Sequence, residues 1–246
     1  MPPADGRDVA GASWERLEPL LRSVERPARY IDHERNAEAF GAAEYRVALV
    51  YPDTYELGMA NQALAILAQR LRALDGVGVE RAFVPWGDLA GAMRESGIAL
   101  ATLESTVALG ECDLVGITLP HELACTNVLE LLDLAGIPLR SSMRRTGDPL
   151  VIGGGPGVYD PEPLAAFFDA ILIGEGEEAV AEIVDAHRRA LVDGLGRDDT
   201  LERLAGVSGV YVPLMYDASS SPPGGPPIAT RGAPPVVTRR VVADLD

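Results

Sequence analysis

The sequence predicts an α/β fold in which a doubly wound parallel sheet of five strands is covered by helices on both faces. Five short apolar runs are nearly continuous, as in strands buried on both faces. Amphipathic stretches of helical length separate them, and polar or glycine-rich turns follow several of the runs. This alternation is typical of a flavodoxin-like sheet with strand order 2-1-3-4-5, in which ligands bind outside the carboxyl ends of the strands.

The predicted elements follow one another along the chain in that alternating order. Residues 1–44 predict a helical lead-in, because Trp14, Leu17 and Leu20 recur at helical spacing until Pro27 interrupts the pattern. The α/β domain is predicted over residues 45–195, with its first strand in a central position. Its strands are predicted at residues 47–51, 77–84, 113–118, 150–152 and 170–173, a small extended piece at 98–103, and its helices at about 58–74, 87–94, 122–134 and 178–191.

The periodic pattern weakens after residue 195. Residues 206–212 fit either a hairpin or an edge strand. Serine, proline and glycine dominate residues 219–235, a composition typical of a flexible linker. A new apolar run at 236–242 then begins. We therefore expect residues 196–246 to be a linker and the start of a missing downstream domain, and residues 219–242 to make few contacts with the core.

Composition excludes several classes of function. The net charge of -16 opposes direct binding to a nucleic-acid backbone, and all 21 basic residues are arginine. No apolar run approaches the roughly 20 residues of a membrane span, and the N-terminus lacks the pattern of a signal peptide, so we expect a cytoplasmic protein without a membrane partner. Cys112 and Cys125 lie too far apart in sequence to form a ligand pair, so neither a disulfide nor a zinc site is predicted.

A candidate ligand loop follows the first predicted strand. It contains Asp53, Tyr55 and Gly58 in the spacing Asp-x-Tyr-x-x-Gly. By itself the pattern also fits a plain strand-to-helix turn, in which Asp53 stabilises the helix N-terminus. The position of the loop at the expected ligand edge favours a binding role.

Further candidates follow the third and fourth predicted strands. Thr118 and Leu119 end the third strand, and Gly153, Gly154 and Gly155 end the fourth. Glycines let the backbone approach a bulky ligand closely, although a tight left-handed turn is an equally good interpretation.

The fifth predicted strand ends at Gly174, Glu175, Gly176 and Glu177. These residues either contact a ligand or place carboxylates at the start of the next helix, where they offset its dipole. The run is not a dinucleotide fingerprint, because that motif follows the first strand. His33 and His187 lie on lead-in or helical segments, and we expect both to be solvated.

Taken together, these stretches resemble the cobalamin-binding-type N-terminal domain of an uncharacterised radical S-adenosylmethionine (radical SAM) protein family. The resemblance covers about residues 20–212. The matching stretches are residues 27–31, 52–59, 85–88, 103–105, 113–116, 122–123, 126–129, 133–140, 153–156, 161–164 and 174–177.

The resemblance implies a possible cobalamin cofactor and assigns roles to the candidate residues. The family loop reads Asp-x-His-x-x-Gly, with the histidine bound to cobalt and oriented by the aspartate. Here Tyr55 replaces that histidine, and a neutral phenol is a poor cobalt ligand, so we expect no protein ligand on the lower face. Thr118 stands where the family has a serine that contacts the nucleotide tail, and Pro120 replaces a leucine. His121 is the one histidine that could reach a bound corrinoid, and the alternative interpretation is a cap or surface residue at a helix start.

The resemblance also implies a downstream radical domain. That domain would carry a Cys-x3-Cys-x2-Cys motif, a 4Fe-4S cluster and S-adenosylmethionine, and Cys112 and Cys125 do not supply such a motif. The chain is thus expected to be a corrinoid-binding accessory domain that works with a radical SAM domain in cis. The alternative is a docking or substrate-recognition domain that has lost the cofactor. A free-standing flavin or nucleotide binder has little support, because residues 51–58 lack the character of a phosphate cradle.

Overall fold

The computed structural model describes residues 12–31, 34, 39–220 and 225–242. A six-stranded sheet in the order β2-β1-β3-β4-β5-β6 forms its centre. The first five strands are parallel, and β1 lies inside the sheet between β2 and β3, as predicted. The strands are β1 Tyr45–Tyr51, β2 Val77–Phe83, β3 Leu114–Thr118, β4 Leu150–Gly154, β5 Ala170–Leu172 and β6 Val210–Tyr211.

The prediction of five strands was wrong in number. β6 is a sixth strand that pairs antiparallel with β5, with Ile171 opposite Tyr211 and Leu172 opposite Val210. Of the two alternatives predicted for residues 206–212, a hairpin or an edge strand, the structure shows the edge strand. A strand of two residues is too short to show an alternating pattern in the sequence, which explains why it could not be counted with the others.

Helices cover both faces of the sheet. One apolar cluster joins α1, α4 and α5 to one face, and a second joins α3, α6 and α7 to the other. The helix predicted at 58–74 begins later, at Gln62, because the Asn61 side chain accepts a hydrogen bond from the Leu64 amide (3.2 Å) and caps the helix there; a separate short helix precedes it. The helices are α1 Trp14–Leu21, α2 Tyr55–Gly58, α3 Gln62–Arg72, α4 Gly87–Ser96, α5 Cys125–Leu134, α6 Ala179–Val192 and α7 Arg197–Leu204.

The expectation of few contacts beyond residue 219 was wrong. A small hairpin-like pair joins β7, Tyr216–Asp217, to β8, Ile228–Ala229. Further on, Arg240 forms a parallel bridge with Gly174 at the end of β5. The composition of residues 219–235 suggested a solvated linker, but hydrogen bonds from particular backbone groups hold parts of this stretch against the domain.

His187 is buried, in contrast to the solvated position expected from the sequence. It lies on α6 with 8% of its surface exposed, and its Nδ1 shares a hydrogen bond of 2.5 Å with the Tyr45 hydroxyl. Burial, assisted by the nearby Arg197 charge, lowers the pKa of His187 to about 4. The residue is therefore a neutral part of the core near pH 7. His33 lies outside the described residues.

Within the described residues, no helix has both the length and the apolar character that crossing a membrane requires.

Candidate functional site

A cleft of about 270 Å³ opens at the carboxyl ends of β3, β4 and β5. Side chains of α3, including Ile66 and Leu67, form one wall of this β3–β5 cleft. Val180 and Ile183 of α6 form the opposite wall. The cleft thus lies at the ligand edge expected for a doubly wound sheet, on the face covered by α3 and α6.

Small residues on the sheet create the depth of the cleft. Side chains alternate between the two faces of a strand, so Gly116 and Thr118 of β3 share the face of Leu114, which packs towards α3 and α6. In register, Gly116 lies between Leu49 and Ile152, and Thr118 is paired with Gly154. Larger side chains at positions 118 and 154 would fill this end of the sheet. The small residues present there leave an apolar depression.

Gly154 marks the most open point of the sheet edge. A Cβ atom added there would meet no other atom within 4 Å. A Cβ added to Gly155, by contrast, would lie 2.6 Å from the Leu119 carbonyl oxygen, and Gly155 has a φ of +95°. Gly155 therefore forms the turn, whereas Gly154 leaves space next to the backbone that a ligand can occupy.

The polar groups of the cleft differ in how they are satisfied. The Glu175 carboxylate accepts a hydrogen bond from the Val242 amide (2.5 Å) and lies 3.8 Å from Arg239. The Oε2 atom of Glu177 is buried but has no hydrogen-bond partner among the described residues. An unpaired buried carboxylate oxygen is costly, so Glu177 is suited to accept a hydrogen bond from a ligand.

Seven of the twelve residues that the sequence suggested as cofactor contacts line the cleft. They come from three separate strand ends, which the parallel topology brings to one edge. The seven are Thr118, Gly153, Gly154, Gly155, Gly174, Glu175 and Glu177.

Three of the other five have roles in packing or lie outside the cleft. A Cβ on Gly58 would approach the Phe83 ring to 2.6 Å and Tyr51 Cβ to 2.8 Å, so this glycine makes room for protein atoms. Leu119 is fully buried on the opposite face of the sheet. His121 is exposed and precedes the short 3₁₀ helix Glu122–Ala124.

Asp53 and Tyr55 lie at the β1–β2 side of the edge, also outside the cleft lining. The Asp53 carboxylate accepts a hydrogen bond from the Thr54 amide (2.7 Å) just before α2, in keeping with a strand-to-helix turn. The Tyr55 hydroxyl donates to Glu34 (2.6 Å), and its ring meets Phe83 edge-on at 5.4 Å between centroids. Both side chains therefore have local partners within the protein.

The partner of Tyr55 belongs to an ionic network. Arg81 contacts Glu34 at 2.8 Å and Glu104 at 2.7 Å. Burial raises the pKa of the Glu104 carboxyl, while its bonds to Arg81 oppose that rise. This network fills the β1–β2 side of the edge and holds the Tyr55 hydroxyl in place.

Sequence reasoning missed the walls of the cleft. Ile66, Leu67 and Val180 show only the ordinary apolar periodicity of helices, which does not separate a cleft wall from a core position. Gly116 did carry a usable signal, because a glycine inside a buried strand often marks a close approach of another group.

One family model matches the chain. Its description is radical SAM proteins, N-terminal, and it covers residues 63–213, more than half of the chain. The matched segment includes every residue of the cleft lining except Leu49, and it begins after the loop of Asp53, Tyr55 and Gly58. No curated protein matches the chain significantly.

Proposed function

Since the chain belongs to the family of N-terminal domains of radical SAM proteins, we propose that it is an accessory domain that binds a corrinoid in the β3–β5 cleft. The partner would be a radical SAM domain in the same polypeptide, which would hold the iron–sulfur cluster and S-adenosylmethionine. The observation that carries the proposal is an apolar cleft at the ligand edge, with the open position of Gly154 on its floor.

The size of the cleft favours one part of a cobalamin. Small-molecule sites usually measure roughly 300–1,000 Å³, so a cleft of about 270 Å³ suits a single flat group. We assign it to the nucleotide base of the cofactor, with the much larger corrin ring outside, over the sheet edge. Ile66 and Leu67 on one side and Val180 on the other would cover the two faces of such a base.

The chain would hold the cofactor through few polar contacts. The Thr118 hydroxyl and the unpaired Glu177 oxygen are available for polar groups of the tail, and residues 153–155 allow close contact with the backbone. When bound, the corrinoid supplies cobalt chemistry, the relay of a methyl group or an electron. The protein's own part is orientation and the exclusion of water.

The surroundings of Tyr55 support a lower corrinoid face without a protein ligand. A neutral phenol is a poor ligand for cobalt, and this hydroxyl already donates to Glu34. His121, the nearest histidine in sequence to the strand ends, lies outside the cleft lining. No cobalt ligand is therefore assigned among the residues that the structure describes.

Reconstitution with hydroxocobalamin tests this proposal. The expected result is a saturable shift of the corrinoid absorption bands at one cofactor per chain, with no sign of nitrogen from the protein in the spectrum of the reduced, cob(II)alamin form. Absence of binding under both reducing and non-reducing conditions would contradict the proposal.

A second candidate function is a docking domain without a cofactor. It is favoured by large apolar side chains that are exposed in the connecting segments after β1, β2 and β3, all at the same edge of the sheet. Such a patch is typical of an interaction surface. In a polypeptide that contains both domains, hydrogen exchange in these loops would be slower than in this chain alone. The exposed residues are Leu57 (61%), Met59 (47%), Trp86 (53%) and Leu123 (79%).

A further inference from the structure

Residues 236–242, which we call the strap, cross the end of β5 beside the cleft. The Arg240 amide donates to the Ile173 carbonyl (2.8 Å), and the Glu175 amide donates to the Arg240 carbonyl (3.1 Å). The Val242 amide donates to the Glu175 carboxylate (2.5 Å). The strap is thus attached through its backbone, as an added strand would be.

Two glycines make room for the strap. Gly174 has a φ of +116°, and a Cβ there would lie 2.2 Å from the Arg240 carbonyl oxygen. Gly209 has a φ of +85°, and its Cβ would lie 2.8 Å from Arg240 Cβ. Any other residue at either position would force the strap away. The sequence of the domain is therefore adapted to an extended segment at this place.

The Arg240 side chain clamps the strap to α6. Its guanidinium donates to Glu182 (2.6 Å) and to Glu178 (3.0 Å), and only 16% of the side chain is exposed. Because two carboxylates contact the guanidinium, the side chain at this position must carry a positive charge as well as fit the space. The two carboxylates at the start of α6 therefore favour binding of an extended segment that carries a basic side chain.

The strap contacts residues that line the cleft. Arg239 lies over the Tyr159 ring at 5.6 Å from its centroid and 3.8 Å from Glu175. Tyr159, Gly174 and Glu175 all line the cleft as well. Movement of the strap must therefore move or release atoms at the rim of the cleft.

We propose that the strap is a coupling element, which closes one side of the cleft when it is docked and opens it when it is released. Because linkage is reciprocal, any ligand that orders the rim also favours the docked strap, and the position of the strap changes access to the cleft. Occupancy of the cleft would thereby affect the part of the polypeptide that follows Val242, through the docking equilibrium of the strap. This goes beyond corrinoid binding and holds for any occupant of the cleft.

Two measurements that need no corrinoid test the coupling. Hydrogen exchange at the Arg240 and Val242 amides reports whether the strap is docked. The rate at which iodoacetamide labels Gly154→Cys, in a Cys125→Ser background, reports access to the cleft. Arg240→Gln and Glu182→Gln break the clamp from its two sides without altering a cleft residue. Arg231→Gln is the matched control, because its ion pair with Asp198 lies away from the strap.

Both clamp variants are expected to lose about three- to tenfold of the exchange protection and to label several-fold faster, whereas Arg231→Gln leaves both rates unchanged. Arg240→Lys keeps the charge and is expected to retain most of the protection. Unprotected amides in the wild type would overturn the proposal. It would also fail if protection were lost without faster labelling. Neither result depends on whether the domain binds cobalamin.

Discussion

The two halves of the ligand edge differ in what fills the space above the strand ends. At the β1–β2 half, Tyr55, Phe83 and the Arg81 network occupy it with protein atoms. At the β3–β5 half, Gly154 leaves it open between α3 and α6. A motif at the right edge of the sheet is therefore not by itself a binding site, because the neighbouring side chains decide whether space remains.

Glycine serves opposite purposes in the two halves. Gly58 lacks a side chain because Phe83 and Tyr51 take up the volume where its Cβ would lie. Gly154 lacks one although nothing lies within 4 Å of that position. Substitution is therefore expected to affect stability at Gly58 and ligand binding at Gly154.

The largest expected effect is on binding at the open half. Gly154→Phe projects a ring into the cleft and is expected to weaken hydroxocobalamin binding by at least about 100-fold, roughly 2.7 kcal/mol. Absorption titrations measure this loss. Gly91→Phe is the control, because a Cβ on that α4 glycine also meets no atom within 4 Å but lies outside the cleft lining. Undiminished binding by Gly154→Phe would show that cobalamin does not bind in the β3–β5 cleft.

At the filled half, Gly58→Ala is expected to cost about 1–3 kcal/mol of folding free energy, because the added methyl overlaps Phe83 and Tyr51. Denaturant unfolding measures this cost, and binding by the folded fraction is expected to stay near that of the wild type. A variant as stable as the wild type would show that this half is less tightly packed than the contacts indicate.

Glu177→Leu tests the polar contact in the open half. It removes the unpaired carboxylate oxygen, so we expect cobalamin affinity to fall about tenfold, as for the loss of one hydrogen bond to a charged group. Glu177→Gln keeps an acceptor oxygen and is the matched control. Cobinamide lacks the nucleotide tail and serves as a second ligand. Its affinity is expected to be the same for Glu177→Leu and Glu177→Gln. Equal losses for the two ligands would argue against a tail in the cleft.

Tyr55→Phe is expected to have the smallest effect on binding, less than about twofold, because the hydroxyl serves Glu34 and not a ligand. Its effect on stability is expected to be about 1 kcal/mol, the usual value of one hydrogen bond. Parallel titration and unfolding experiments separate the two effects. A large loss of cobalamin affinity would show that the loop after β1 contributes to the binding site.

The order of the parallel strands followed from the sequence because each apolar run is long enough to identify, and their alternation with helices limits the topology. β6 followed only in part, since residues 206–212 fitted either a hairpin or an edge strand and two residues carry no period. The strap was missed for a different reason: proline and glycine before it suggested a solvated linker, and nothing local reveals that Arg240 pairs with Glu178 and Glu182.

The candidate site was predicted in part, for a similar physical reason. The glycines at 153–155 and 174 stand at the correct edge because parallel topology alone brings them together. Whether a missing Cβ makes room for protein or for ligand depends on residues distant in sequence. Phe83 decides this for Gly58, and Arg240 decides it for Gly174.

Hydrogen exchange with and without hydroxocobalamin measures most directly which half of the edge holds the ligand. We predict slower exchange at residues 114–118, 150–156 and 174–184 when the cofactor is added, and no change at residues 53–58. Slower exchange confined to residues 53–58, with none at residues 153–155, would contradict the assignment of the cofactor to the β3–β5 cleft.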